Sequence, residues 1–114
     1  MTWYQEKQNK YGRVESEYGG ITYHSKKEAA YAAELDLRVK AKDIKSWERQ
    51  VKISLDFNGY HICNYYVDFK ITHNDGSVEY VEVKGFQTSE WRLKWKMFEA
   101  KYGDLPDVKL TVVR

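Results

Sequence analysis

Cysteine and proline are nearly missing: Cys63 and Pro106 stand alone in 114 residues. A single thiol excludes an intrachain disulfide and any zinc site built on cysteine pairs. One proline leaves almost the whole chain free to form regular structure. No apolar run approaches the ~18–20 residues of a membrane span. The opening stretch MTWYQEKQNKYGRVESEYGG has no apolar region of a secretory signal, so a cytoplasmic protein with no membrane partner is expected. An excess of one charge is absent too. The net charge of +2 is mild, and a polyanionic partner has to be argued from where the basic residues sit. No Walker-type or GxGxxG loop occurs, and no Ser/His/Asp or Cys/His arrangement is visible. His24, His61 and His73 lack metal-ligand spacing, and His73-Asn74 echoes an HNH nuclease without its ββα order. What the chain does have is aromatic residues, 16% with four Trp and ten Tyr, within a hydrophobic fraction of 42%. That is enough for the core of one small domain.

Residues 1–20 are polar and aromatic with little periodicity, and read as a basic, aromatic N-terminal arm before a single domain over 21–114. ITYHS (21–25) is an extended lead-in. Ser25-Lys26-Lys27-Glu28 has the Ser-x-x-Glu pattern of a helix start, and KKEAAYAAELDLRVKA, rich in alanine and free of Gly and Pro, predicts a helix to about residue 42. In VKISLDF (51–57) apolar and polar residues alternate, the pattern of a half-buried strand. Asn58-Gly59 is a strong two-residue hairpin signal. HICNYYVDFKI and SVEYVEVK follow as strands. SEWRLKWKMFEAKYG predicts a second helix with Thr88 or Ser89 as N-cap and Gly103 as its stop, and VKLTVV (108–113) a last strand. The order α–β–β–β–α–β predicts an α+β fold with a mixed sheet and helices beside it.

Asp68 lies in one strand of this pattern, and Glu82 and Lys84 alternate along the next. The simple reading is the solvated face of a hairpin. Turn geometry separates that reading from a site. A two-residue loop at Asp75-Gly76 sets Asp68 opposite Val83, facing away from Glu82. A three-residue loop, Asn74-Asp75-Gly76, with Gly76 in the left-handed conformation, sets Asp68 opposite Glu82. The sequence allows both. Two facing carboxylates have Cβ atoms ~5 Å apart and repel unless a cation lies between them, for which Mg²⁺ or Mn²⁺ is suited. Glu28 falls on the helical stripe of Tyr31, Ala32, Leu35 and Val39, which points it toward the sheet. It is also the third residue of the Ser25 capping box, and the two roles are compatible. Gln50 and Asn64 are polar residues near the pair without an assigned role.

Asp68 in YYVDF and Glu82-Val83-Lys84 in VEVKG, after a helix carrying Glu28, resemble the PD-(D/E)XK nuclease superfamily, whose core has the same αβββαβ order. NKYG (9–12), ITYHSKKEAAYAAEL (21–35), VEVKGF (81–86) and FEAKYG (98–103) resemble more closely a small phage-encoded family within it, known only as a domain of unknown function. Val67 stands where the superfamily motif has Pro. The resemblance implies that Asp68, Glu82 and the backbone carbonyl of Val83 bind Mg²⁺ or Mn²⁺. It implies that Lys84 orients or deprotonates the attacking water. It implies that Glu28 completes the site, directly or through water. In a phage setting the location is the host cytoplasm.

The second helix carries two apolar stripes, Trp91-Trp95-Phe98-Tyr102 and Leu93-Met97-Ala100, with Arg92, Lys94, Lys96 and Lys101 between them. One stripe packs on the sheet. The other faces water or a second copy of the chain. Arg92, Lys94 and Lys96, and Lys7, Lys10 and Arg13 of the arm beside Tyr4 and Tyr11, are candidate contacts to DNA. The expectation is a Mg²⁺-dependent DNA endonuclease, structure-selective for branched DNA of the kind formed in recombination, and homodimeric because branch resolution needs two cuts. Its rivals are a non-catalytic DNA-binding recombination accessory protein and an RNA nuclease.

Overall fold

The computed structural model describes residues 5–8, 14–83 and 87–114, with the backbone alone for 5–8 and 14–16. They divide into two compact units, Met1–Asp43 and Ile44–Arg114.

The first unit is where expectation and structure differ most. The segment read as an arm contributes two strands, β1 (Gln5–Gln8) and β2 (Val14–Tyr18), which form an antiparallel three-stranded sheet with β3 (Ile21–Tyr23). The cause is Gly19-Gly20. Both have positive φ, 60° and 81°, and close a two-residue turn that pairs Tyr18 with Ile21. Helix α1 (Lys26–Lys40) starts as predicted, with the Ser25 hydroxyl accepting the Glu28 N–H at 3.0 Å. It ends two residues short of the predicted limit, because Lys42 turns left-handed (φ 63°) and the Asp43 N–H closes back on the Arg38 carbonyl. Its buried residues are Glu28, Ala29, Ala32, Ala33 and Leu35, so the predicted stripe is widened by two alanines. The Tyr18 hydroxyl donates to Asp36 of α1. That hydrogen bond pushes its pKa up to about 12.

The second unit is a four-stranded mixed sheet in the order β4-β5-β6-β7. Its strands are β4 (Ser46–Phe57), β5 (Tyr60–Thr72), β6 (Val78–Val83) and β7 (Val108–Val113). The first three are antiparallel. β7 runs parallel to β6, and helix α2 (Ser89–Tyr102) makes the crossover this requires. The predicted α+β class and αβββαβ order are what the chain adopts. Asn58 and Gly59, φ 53° and 82°, form the predicted tight turn between Phe57 and Tyr60. Thr88 is the N-cap of α2 and Gly103 its C-cap.

The core between sheet and helix holds Ile53, Leu55, Tyr65 and Val67 against Trp95 and Phe98. The aromatic stripe of α2 therefore packs inward, and Leu93 on the other stripe is 62% exposed. Phe98 meets Tyr65 and Tyr80 ring to ring, at 5.6 and 5.2 Å between centroids. Burial of each such aromatic is worth about 1.5–3 kcal/mol.

Strand alternation fails at the level of Asp68 and Gln50. Tyr65 and Val67 belong to the cluster under α2. Phe69 instead packs edge-on against Trp47 at 5.6 Å, while Tyr80, paired across the sheet with Lys70, joins Phe98. Strand β5 thus turns over between Val67 and Phe69, level with Gln50 of β4, whose φ is 50°. Val67, Asp68 and Phe69 are consecutively buried as a result. The same kink hides the start of β4. The strand begins at Ser46 rather than Val51, because its first half pairs on through Trp47 and Arg49 out of phase with the pattern beyond Gln50.

Candidate active site: a carboxylate pair where two strands part

The β5–β6 turn is the three-residue form. The His73 N–H donates to the Ser77 carbonyl at 2.9 Å, the Gly76 N–H donates to the His73 carbonyl at 3.0 Å, and Gly76 has φ 90°. Asp75 Oδ1 accepts the Ser77 N–H at 2.9 Å and the Ser77 hydroxyl at 2.6 Å. From this turn the register runs Thr72↔Val78 to Phe69↔Val81, and one further step sets Asp68 opposite Glu82.

At that step the ladder gives way to side chains. The Val83 N–H donates to Asp68 Oδ2 at 2.9 Å, and the Asp68 N–H donates to Glu82 Oε1 at 3.3 Å. Each carboxylate thus takes a backbone donor of the opposite strand. The strands part, and the two acids fill the fork. Both are buried, Asp68 at 7% exposure and Glu82 at 1%. Glu82 Oε1 also accepts from the Tyr65 hydroxyl at 2.5 Å, and the Tyr65 hydroxyl oxygen in turn accepts from Trp91 Nε1 at 3.1 Å. Burial first, and then the charge of Glu82, raises the Tyr65 pKa far above its ordinary value, so the phenol is a permanent donor. Gln50 Nε2 stands 3.5 Å from Asp68 Oδ1.

The other predicted residues are distributed as follows. Glu28 is buried, 3% exposed, in the first unit. Val83 closes β6, with its N–H on Asp68. Lys84 lies outside the described residues, as do Lys10, Arg13, Tyr4 and Tyr11. Lys7 lies on β1, level with Glu15. Arg92, Lys94 and Lys96 are on α2, but not on one flank. Lys94 pairs with Glu90 at 3.3 Å beside Asn64 and Tyr66, whereas Arg92 and Lys96 share a groove with Trp91 and Arg114. Among the described residues no three His, Cys, Asp or Glu side chains form a group that could hold a metal, so Asp68 and Glu82 stand as a pair. Tyr65 and Trp91 escaped the sequence reading, because the shift of face at Asp68 hides that Tyr65 and Glu82 meet.

Two other polar clusters need separating from this one. His73 Nε2 lies 3.0 Å from Glu79 Oε1, and Thr111 donates to Glu79 Oε2 at 2.6 Å. His73 thus holds one oxygen of a buried carboxylate. Ser54, Asp56 and His61 also meet, yet Ser54 Oγ and Asp56 Oδ1 both lie on His61 Nδ1, at 3.0 and 2.7 Å. A catalytic triad divides acid and nucleophile between the two ring nitrogens, so this exposed group is not one.

Among the described residues no helix is long and apolar enough to cross a membrane. A comparison with curated proteins finds no match. A family model does match, over residues 8–114, and the chain belongs to that family, described as "Protein of unknown function (DUF1064)".

Proposed function

We propose that the Asp68–Glu82 pair is the centre of a divalent-metal-dependent DNA endonuclease of the PD-(D/E)XK type. The observation that carries this reading is the placement of two buried carboxylates face to face at a strand fork. Two carboxylates buried side by side repel each other, and the donors named around them are neutral amides and a phenol. A hard cation relieves that conflict.

The donor chemistry fits Mg²⁺ or Mn²⁺. Every donor is oxygen, and Mg²⁺ is commonly held by one or two carboxylates while it keeps several waters and takes substrate phosphate oxygens. Asp68 and Glu82 would hold it, with the Val83 carbonyl as a further ligand. A bound metal supplies a Lewis acid and a more acidic water. The chain's own residues do the rest. Asp68 ties the end of β6 through Val83, which fixes the distance between the two acids. Tyr65 holds Glu82 Oε1. Lys84, two residues after Glu82 in the sequence, positions the attacking water and offsets phosphate charge. Glu28 enters on the resemblance. Branched DNA is the proposed substrate, and two cuts across a branch require a homodimer.

The test is single-turnover cleavage of duplex, flap, junction and RNA substrates, with and without Mg²⁺, by the parent and Asp68→Asn. Metal-dependent cleavage of branched DNA that vanishes in Asp68→Asn, with DNA affinity held or raised, is the expected result. Binding without cleavage under any divalent metal would establish the accessory-protein reading instead. Preferential cleavage of RNA would establish the RNA nuclease.

A further inference from the structure

Arg92 and Lys96, one turn apart on α2, line a groove with Trp91, Trp95 and Arg114, in which Glu99 is the acid. Three basic side chains against one acidic side chain make its lining more strongly basic than the chain as a whole, at +2. Its floor is a pair of stacked indoles, 5.8 Å apart and 22° from parallel. Trp95 is buried at 8% exposure, so Trp91 is the ring presented to the groove. That ring is held in place twice, by the stack on Trp95 and by its N–H on the Tyr65 hydroxyl. A fixed aromatic plate among cations is the pattern of single-strand recognition, in which bases stack and phosphates meet Lys and Arg.

We infer that this groove binds a single strand of DNA, with a base on Trp91 and phosphates on Arg92, Lys96 and Arg114. A duplex would satisfy the cations, but it hides its base faces in its own stack. An acidic peptide would use the cations and leave the indole bare. The inference rests on the nuclease reading only for its purpose, since a strand seated on Trp91 lies along the Trp91–Tyr65–Glu82 run of hydrogen bonds.

Binding is measured by titrating the full chain with an oligothymidylate of about eight nucleotides, within the usual single-strand site size. EDTA is present throughout, and Asp68→Asn is run in parallel, so loss of cleavage and loss of this site are read separately. The expected slope of log affinity against log salt is about −2, at about 0.7 per neutralised phosphate for single strands. Arg92→Gln, Lys96→Gln and Arg114→Gln should each lower it by about 0.7. Trp91→Leu should weaken binding on the order of tenfold, while Trp91→Phe keeps the stack and stays within a few-fold. Equal affinity for a blunt duplex, or a triple Gln variant that binds like the parent, would overturn the inference. Equal losses in Trp91→Leu and Trp91→Phe would replace base stacking with a structural role for the indole.

Discussion

Strand β6 carries two buried glutamates, and their surroundings are opposites. Glu79, 8% exposed, sits at the closed end of the β5–β6 hairpin with Thr111 and His73 on its two oxygens. Glu82, 1% exposed, sits at the open end opposite another acid. Burial alone pushes the Glu79 carboxyl up, but its hydrogen bonds to Thr111 and His73 and the charge of Lys109 outweigh that and leave it below its ordinary value. Glu79 is a charge whose partners come with the fold. Glu82 faces the carboxylate of Asp68 across the fork, the placement on which the proposed metal site rests. Burial of an acid is thus no mark of a site. The sign of what faces it is.

The largest expected effect breaks this contrast directly. Glu82→Gln should lower single-turnover cleavage by more than about 10³-fold, since it removes a metal ligand and its charge. Its melting temperature should hold or rise, because Gln still accepts from Tyr65 and one of two facing charges is gone. Glu79→Gln should do the reverse. Cleavage stays within a few-fold, and stability falls by about 1–3 kcal/mol for a buried network left half-satisfied. If Glu79→Gln abolishes cleavage and Glu82→Gln only melts early, the two roles are exchanged.

Lys84 sharpens the same comparison from the side of the chemistry. Lys84→Ala should keep metal binding within a few-fold by calorimetry and slow cleavage on the order of 10²–10⁴-fold, the range for losing a positioned acid–base group. Lys84→Arg should not restore the rate, because a guanidinium does not give up its proton at any working pH. Cleavage at the parental rate in Lys84→Ala would reduce Lys84 to a surface charge.

How much of this was legible in the sequence differs between the two ends of the hairpin. The element order, the Asn58-Gly59 turn and the N-cap of α1 followed from period, propensity and capping chemistry, whereas α2 kept two N-cap candidates and two apolar stripes open. The choice at the β5–β6 turn did not follow either, since two geometries were open, and the structure takes the one with Gly76 in the left-handed position. The first unit's sheet was missed because its strands are short and polar, and only Gly19-Gly20 signals them. The environment of Glu82 was missed for a different reason. Strict alternation assigns Tyr65 and Glu82 to different faces, and the kink at Gln50 and Asp68 that reunites them leaves no mark in the hydrophobic pattern. Local rules are expected to fail where the tertiary structure strains the backbone.

A smaller effect compares the hydroxyls that hold the two glutamates. Tyr65 donates to Glu82 and Thr111 to Glu79. Tyr65→Phe should lower metal affinity about 10–100-fold, as for other groups that orient a ligand without touching the metal. The ring packing on Phe98 is kept, so stability should change little. Thr111→Val should leave metal affinity unchanged and cost stability alone. Equal metal affinity in Tyr65→Phe and the parent would show that Glu82 is held by the fork itself.

The smallest effect is in the pH dependence of stability. A carboxyl whose pKa is depressed on folding contributes stability above its unfolded value, here near the ordinary 4.5, and loses it as pH falls through the lower folded value. The difference in melting temperature between the parent and Glu79→Gln should therefore be constant above about pH 5.5 and narrow progressively below about pH 4.5. Asp56 and Asp75 are also depressed, by His61 and Ser77 respectively, but both are present in parent and variant and cancel in the difference. Thermal melts of the two proteins from about pH 3 to pH 7 measure it. A gap that stays constant to the acid end would mean that the protonated Glu79 is held as well as the ionised one. The partners of Glu79 would then be packing contacts, and the contrast with Glu82 would rest on Asp68 alone.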